Sequence, residues 1–166
     1  MQLSTVENYL AERQAQASFP VRLYALVDAL LYKREPHAAA LKRSEAAIAL
    51  FDGTADASLA DAGPWLLDFE HVPADTRRTL LELATGADGV SWLISAYPLP
   101  SLAQELRERL DVRMPGGRTA LLRFYDARLI GDIAGLLSLS QRAEFFRSTF
   151  DWLIEINGEL AKVHPV

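Results

Sequence analysis

Cysteine is absent from the 166-residue chain, which removes disulfides, thiol nucleophiles and thiolate zinc sites together. Histidine is scarce. Only His37, His71 and His164 occur, no two of them three or four residues apart, and none in a carboxylate pattern of a known zinc type. No Gly-Lys-Ser/Thr is present, and Gly86, Gly89, Gly116 and Gly117 match neither a phosphate loop nor the dinucleotide fingerprint. Neither a metal nor a cofactor is therefore expected. Long hydrophobic runs are lacking too: the longest uncharged stretch, Gly89 to Gln104, is broken by Pro98 and Pro100 and is too short to span a bilayer. Basic excess is missing, since 17 basic against 22 acidic side chains leave a net charge of −5. That balance argues against nucleic acid and against an anionic membrane as partners. Residues 1–14 hold Glu7, Glu12 and Arg13 and lack the basic start and apolar run of a secretory peptide. A soluble, cytoplasmic protein is the expectation.

What is present is ordinary globular composition, 50% hydrophobic and 23% charged. Ser4 and Glu7 read as a capping box for a first helix, with Leu3, Val6 and Leu10 at helical spacing. Arg22 to Val27 is an apolar run without alternation, which predicts a central strand. A helical pattern from Leu30 to Ser44 is interrupted at Pro36, and strands are expected at Ala46–Phe51, Trp65–Phe69 and Val90–Ala96. A helix over Asp75–Thr85 should close at Gly86 in a left-handed cap. Ser101 and Gln104 suggest a box for a helix carrying Leu99, Leu102, Leu106 and Leu110 on one face. Val112–Met114 and Thr119–Tyr125 flank Pro115-Gly116-Gly117 as a hairpin. Asp126 is placed to cap a helix burying Leu129, Ile130, Ile133 and Leu137. Ser138 and Gln141 box a last helix, and Asn157-Gly158 joins Trp152–Ile156 to Glu159–Val163 in a two-residue turn. The expected fold is α/β (α+β mixed): a mixed β-sheet flanked by helices, residues 1–137, with a small helix-and-hairpin addition at 138–166.

Two catalytic patterns are incomplete. Leu50-Phe51-Asp52-Gly53-Thr54 resembles the aspartate-phosphatase pattern, but Leu50 stands where the attacking carboxylate belongs. It reads better as a turn in which Asp52 satisfies nearby backbone donors. Gly89-Val90-Ser91-Trp92-Leu93 lacks the closing glycine of a nucleophile elbow, and Trp92 and Leu93 suit a core. Arginines at 107, 109, 113, 118, 123 and 128 are interleaved with Glu105, Glu108, Asp111 and Asp126, which predicts a salt-bridged face. Arg123, flanked by apolar residues, needs a carboxylate, and Asp126, Asp52 or Asp28 are the candidates.

Taken in order, Tyr24–Asp28, Leu50–Thr54, Ala60–Leu66, Ser91-Trp92, Arg123–Arg128, Gln141-Arg142 and Phe145-Phe146 resemble the type VI secretion effector-chaperone (adaptor) family, formerly a domain of unknown function. The resemblance covers about Leu23 to Phe146, with Ala127 standing where the family usually has proline. It implies a non-catalytic cytoplasmic adaptor, binding a secreted effector protein and helping to load it on the VgrG (valine-glycine-repeat) spike protein. It also makes Asp28, Asp52, Trp65, Arg123 and Asp126 motif residues of the scaffold.

An adaptor needs exposed apolar surface with a polar rim, or an open sheet edge. The C-terminal segment offers Phe145, Phe146, Phe150 and Trp152 with Arg142 and Arg147 as rim, and these six are the candidate partner-binding residues. The same aromatics would equally serve to complete a core. The alternative function is a small hydrolase with a diverged site around Asp52, Ser91 or Asp126.

Overall fold

The computed structural model describes residues 2–85 and 89–163. Its centre is β1 (Arg22–Asp28), buried along its length beyond Arg22. On one side lie β3 (Pro64–Asp68) and then β2 (Ala47–Ala49); on the other lie β4 (Val90–Ser95), β7 (Asp151–Ile156) and β8 (Glu159–Lys162), giving the order β2-β3-β1-β4-β7-β8. A sheet flanked by helices was expected, and that class holds. The expected mixture of strand directions does not, because all five pairings are antiparallel. The reason is topological. The β3–helix–β4 unit does join strands of the same direction, but β1 lies between them and is antiparallel to both.

Helix α1 (Thr5–Gln16) starts at the expected Ser4–Glu7 box, in which each side chain accepts from the other residue's backbone N–H. It packs against β8. Its anchor is Asp151, which accepts from Arg13 Nε at 2.6 Å and from the Tyr9 hydroxyl at 3.2 Å. The expected helix after β1 shrinks to one turn, α2 (Ala29–Tyr32), capped by Asp28 and followed by turns in which His37 takes φ 62°. A 3₁₀ helix (Ala57–Ala62) ends at Gly63, where a Cβ would meet the Phe51 ring at 2.5 Å. Helix α3 (Ala74–Thr85) packs on β4 and β7; the Gly86 cap lies outside the described residues.

Helix α4 (Leu99–Arg107) begins two residues before the expected Ser101 cap, since Pro100 is tolerated in a first turn. Strands β5 (Asp111–Arg113) and β6 (Thr119–Leu121) form a separate hairpin. The second strand stops short of Tyr125 because Phe124 and Tyr125 turn into the core. Helix α5 (Ile130–Leu136) follows, and Asp126 does not cap it: its carboxylate instead accepts from the backbone and guanidinium of Arg128. Helix α6 (Leu139–Phe145) begins at the expected Ser138–Gln141 box. The β7–β8 turn has φ of 51° at Asn157 and 79° at Gly158, the two positive angles a type I′ hairpin demands. Residues 151–162 thus extend the same sheet as β1, through pairing of β7 with β4.

Candidate functional site

The structure divides the six candidate partner-binding residues. Phe145, Phe146 and Trp152 are core. Trp152, 1% exposed, enters the sheet opposite Leu93 and stands 6.0 Å from Phe124, 6.0 Å from Phe145 and 5.4 Å from Phe146, centroid to centroid. Phe124 lies 5.6 Å from Phe145 with the rings nearly perpendicular, the edge-to-face arrangement favoured by aromatic quadrupoles. These three side chains offer no surface to a partner while this packing stands. What covers them is Phe124, delivered from the segment after β6, which the spacing within residues 138–166 does not announce.

Phe150, Arg142 and Arg147 remain at the surface. Phe150 is 39% exposed and packs 5.4 Å from Phe19, itself 45% exposed, beside a cleft of about 260 Å³ that Val21, Ile94 and Arg13 also line. Arg147 is committed to Glu144 at 2.8 Å and Glu105 at 3.2 Å. Arg109 joins the same network: it donates to the Glu105 backbone and carboxylate and to the Glu144 carbonyl, and lies over the Phe145 ring. Burial pushes the Glu105 carboxyl up, but hydrogen bonds from Arg109 and Arg147 outweigh it and hold the group below the usual carboxylate range. Arg142 is half-buried on α6.

The motif residues build two polar anchors. In the first, Arg123 reaches both Asp28 and Asp126 at 3.6 Å, so two of its three expected partners are the right ones. Arg128 holds Asp126 through Nε at 3.0 Å and Nη2 at 2.9 Å. Burial raises the Asp126 carboxyl, yet the hydrogen bonds from the Arg128 side chain and backbone prevail and lower it below its ordinary value. This anchor fastens the segment carrying Phe124 and Tyr125 to the end of β1. In the second, Arg43 pairs with Asp52 at 2.6 and 2.8 Å, reaches Asp61 at 2.9 Å and lies over the Trp65 ring at 5.3 Å. Asp52 therefore serves a guanidinium rather than the backbone donors expected of it. That hydrogen bond holds its carboxyl below the usual range.

Half of the six arginines of this stretch are salt-bridged as expected, namely Arg109, Arg123 and Arg128. Arg107 differs, donating to the backbone carbonyls of Leu50 and Ala49. Ser91 sits inside β4, fully buried, its hydroxyl without a hydrogen-bond partner among the described residues. Among the described residues no helix is long and apolar enough to cross a membrane.

Sequence reasoning passed over two features. Leu136 and Leu139, at the junction of α5 and α6, are 85% and 84% exposed. The signal for Leu136 was present: a helix burying Ile130, Ile133 and Leu137 turns it outward. Phe19, between the first helix and first strand, had no local pattern to mark it.

A family model described as a domain of unknown function, DUF4123, matches residues 23–144. No curated protein and no solved structure matches the chain.

Proposed function

The chain belongs to the DUF4123 family, and from that premise we propose that it is a non-catalytic adaptor of a type VI secretion system. It holds a secreted effector in the bacterial cytoplasm and helps to load it on the VgrG spike protein. The observation that carries this reading is the family match over residues 23–144, which takes in nearly all the ordered motifs that resemble the effector-adaptor family. The surface is consistent with it, because large apolar groups stand exposed where the C-terminal third meets solvent: Leu136, Leu139 and Phe150, with Phe19 beside the last. The buried carboxylates of the first anchor are spent on holding the fold. Asp28 and Asp126 are tied to Arg123 and Arg128, which supports a structural role for both.

Deleting the gene in a host with an active system tests the proposal. The expected result is loss of one toxin-like protein from the secreted fraction while the remaining secretion continues. Secretion that is unchanged for every effector would refute it.

A further inference from the structure

The six-stranded sheet ends in two unlike edges. At β2 the chain closes its own edge: Ala47 exchanges both backbone hydrogen bonds with Ser44, and the Ala49 carbonyl accepts from the Asp52 N–H and from Arg107. At β8 it does not. The Val163 N–H donates to the Trp152 carbonyl at 2.9 Å, so the odd-numbered residues of this strand face β7. The N–H and C=O groups of Leu160 and Lys162 therefore point away from the sheet. Among the described residues none of these four groups has a hydrogen-bond partner, although α1 packs against the strand. Unpaired edge groups are a template for a further strand.

A carboxylate beside this edge also lacks a counter-charge. Glu155, directly opposite Leu160 in β7, is half-buried. Arginines hold the carboxyls of Asp52, Glu105 and Asp126 below their ordinary values. Burial alone pushes that of Glu155 up, with no cation beside it among the described residues. Lys162 lies two residues beyond Leu160 and on the same face of β8. Its ammonium stands 3.6 Å from Asp151, the longest of that carboxylate's three contacts, since Arg13 lies at 2.6 Å and Tyr9 at 3.2 Å.

We infer that β8 pairs antiparallel with β8 of a second copy of this chain, about a two-fold axis at Ala161, joining the two sheets into one. The edge itself selects the register. Only rotation about Ala161 pairs Leu160 with Lys162 of the second copy, and the reverse, so that all four outward groups of each chain are used. It also sets Glu155, Leu160 and the second copy's Lys162 in one row across three strands, on one face. That row spans two strand spacings, about 10 Å, which a glutamate and an extended lysine bridge together over the leucine. An edge lysine ordinarily repels a second copy. Here each lysine meets the other chain's unpaired carboxylate, and symmetry makes the contact twice. The inference is independent of the adaptor reading, which concerns other proteins.

The test uses the purified full chain, its mass followed by light scattering and sedimentation over a range of concentrations. A concentration-dependent dimer is expected. Glu155→Lys and Lys162→Glu should each weaken it by about tenfold or more, because each sets like charges across the axis. The double variant Glu155→Lys/Lys162→Glu restores opposite charges and should recover wild-type association to within about threefold. Since the chain has no cysteine, Ala161→Cys gives a second readout that does not depend on charge. Residue 161 meets its own copy in a non-hydrogen-bonded pair, with Cα atoms about 4.5 Å apart, which is within disulfide reach. Mild oxidation should therefore link two chains of Ala161→Cys, whereas Ile156→Cys, exposed on β7 and away from the axis, should not link. A chain that stays monomeric at every concentration would overturn the inference. So would a dimer that neither responds to charge reversal nor links through Ala161→Cys. A monomer whose Leu160 and Lys162 amides gain exchange protection only on adding a copurified protein would overturn the second copy and give the edge to that protein. All three results leave the adaptor reading standing.

Discussion

Truncating Trp152 to alanine separates a core residue from a contact residue. The indole is 1% exposed and packed against Phe124, Phe145 and Phe146. Its removal takes away the common neighbour of three rings and leaves a cavity that the paired strand cannot close, since the backbone of Trp152 is held opposite Leu93. Buried Trp→Ala changes cost about 3–5 kcal/mol, a large share of the roughly 5–15 kcal/mol that stabilises a domain. With a urea dependence of about 2 kcal/mol per M, a loss of about 4 kcal/mol lowers the unfolding midpoint by about 2 M. Trp65 and Trp92 remain as buried fluorescent reporters, so urea titration by emission wavelength and by circular dichroism reads the shift. Phe150→Ser, at a position 39% exposed, should cost only about 1 kcal/mol. A Trp152→Ala midpoint within about 0.3 M of wild type at unchanged slope would refute the aromatic cluster as a structural core.

Asp151→Asn removes the carboxylate that holds Arg13 and Tyr9, so amide exchange across Thr5–Gln16 should accelerate before that of β1; equal protection of α1 in both chains would count against the anchor. The lowered carboxyl of Asp126 contributes stability that is complete above the unfolded carboxylate value of about 3.9 and is lost as pH falls through the lower folded value. The stability gap between wild type and Asp126→Asn should therefore narrow as the pH falls from about 4, and a gap that widens on acidification would contradict the assignment. Gly131 and Gly135 lie in α5 with open space where a Cβ would stand, so alanine at either should raise stability by about 0.5–1 kcal/mol, read as a higher melting temperature.

Local signals were read well because local chemistry makes them. Ser4 with Glu7, Ser138 with Gln141, and Asn157 with Gly158 each satisfy or shape their own backbone, and all three form as the spacing predicts. The Arg22–Asp28 strand was legible as central because both its faces are apolar. Strand direction was not: alternating strands and helices suggest parallel neighbours, and only the long-range insertion of β1 between β3 and β4 makes the sheet antiparallel. The division of the candidate site was hidden for the same reason. Phe145, Phe146 and Trp152 suit a surface and a core equally well until Phe124 arrives to cover them. Arg123 shows the intermediate case, where the need for a carboxylate could be read but the choice of Asp28 and Asp126 over Asp52 waited on the fold.

The most direct measurement of the adaptor claim is the mass and composition of what the tagged chain carries out of its native host, by size-exclusion chromatography with light scattering and mass spectrometry. The account predicts a stoichiometric complex with a toxin-like protein, a spike protein or both, which stabilises the chain against heat as bound partners do. Recovery of the chain alone, from cells with the secretion system active and expressed, would contradict it.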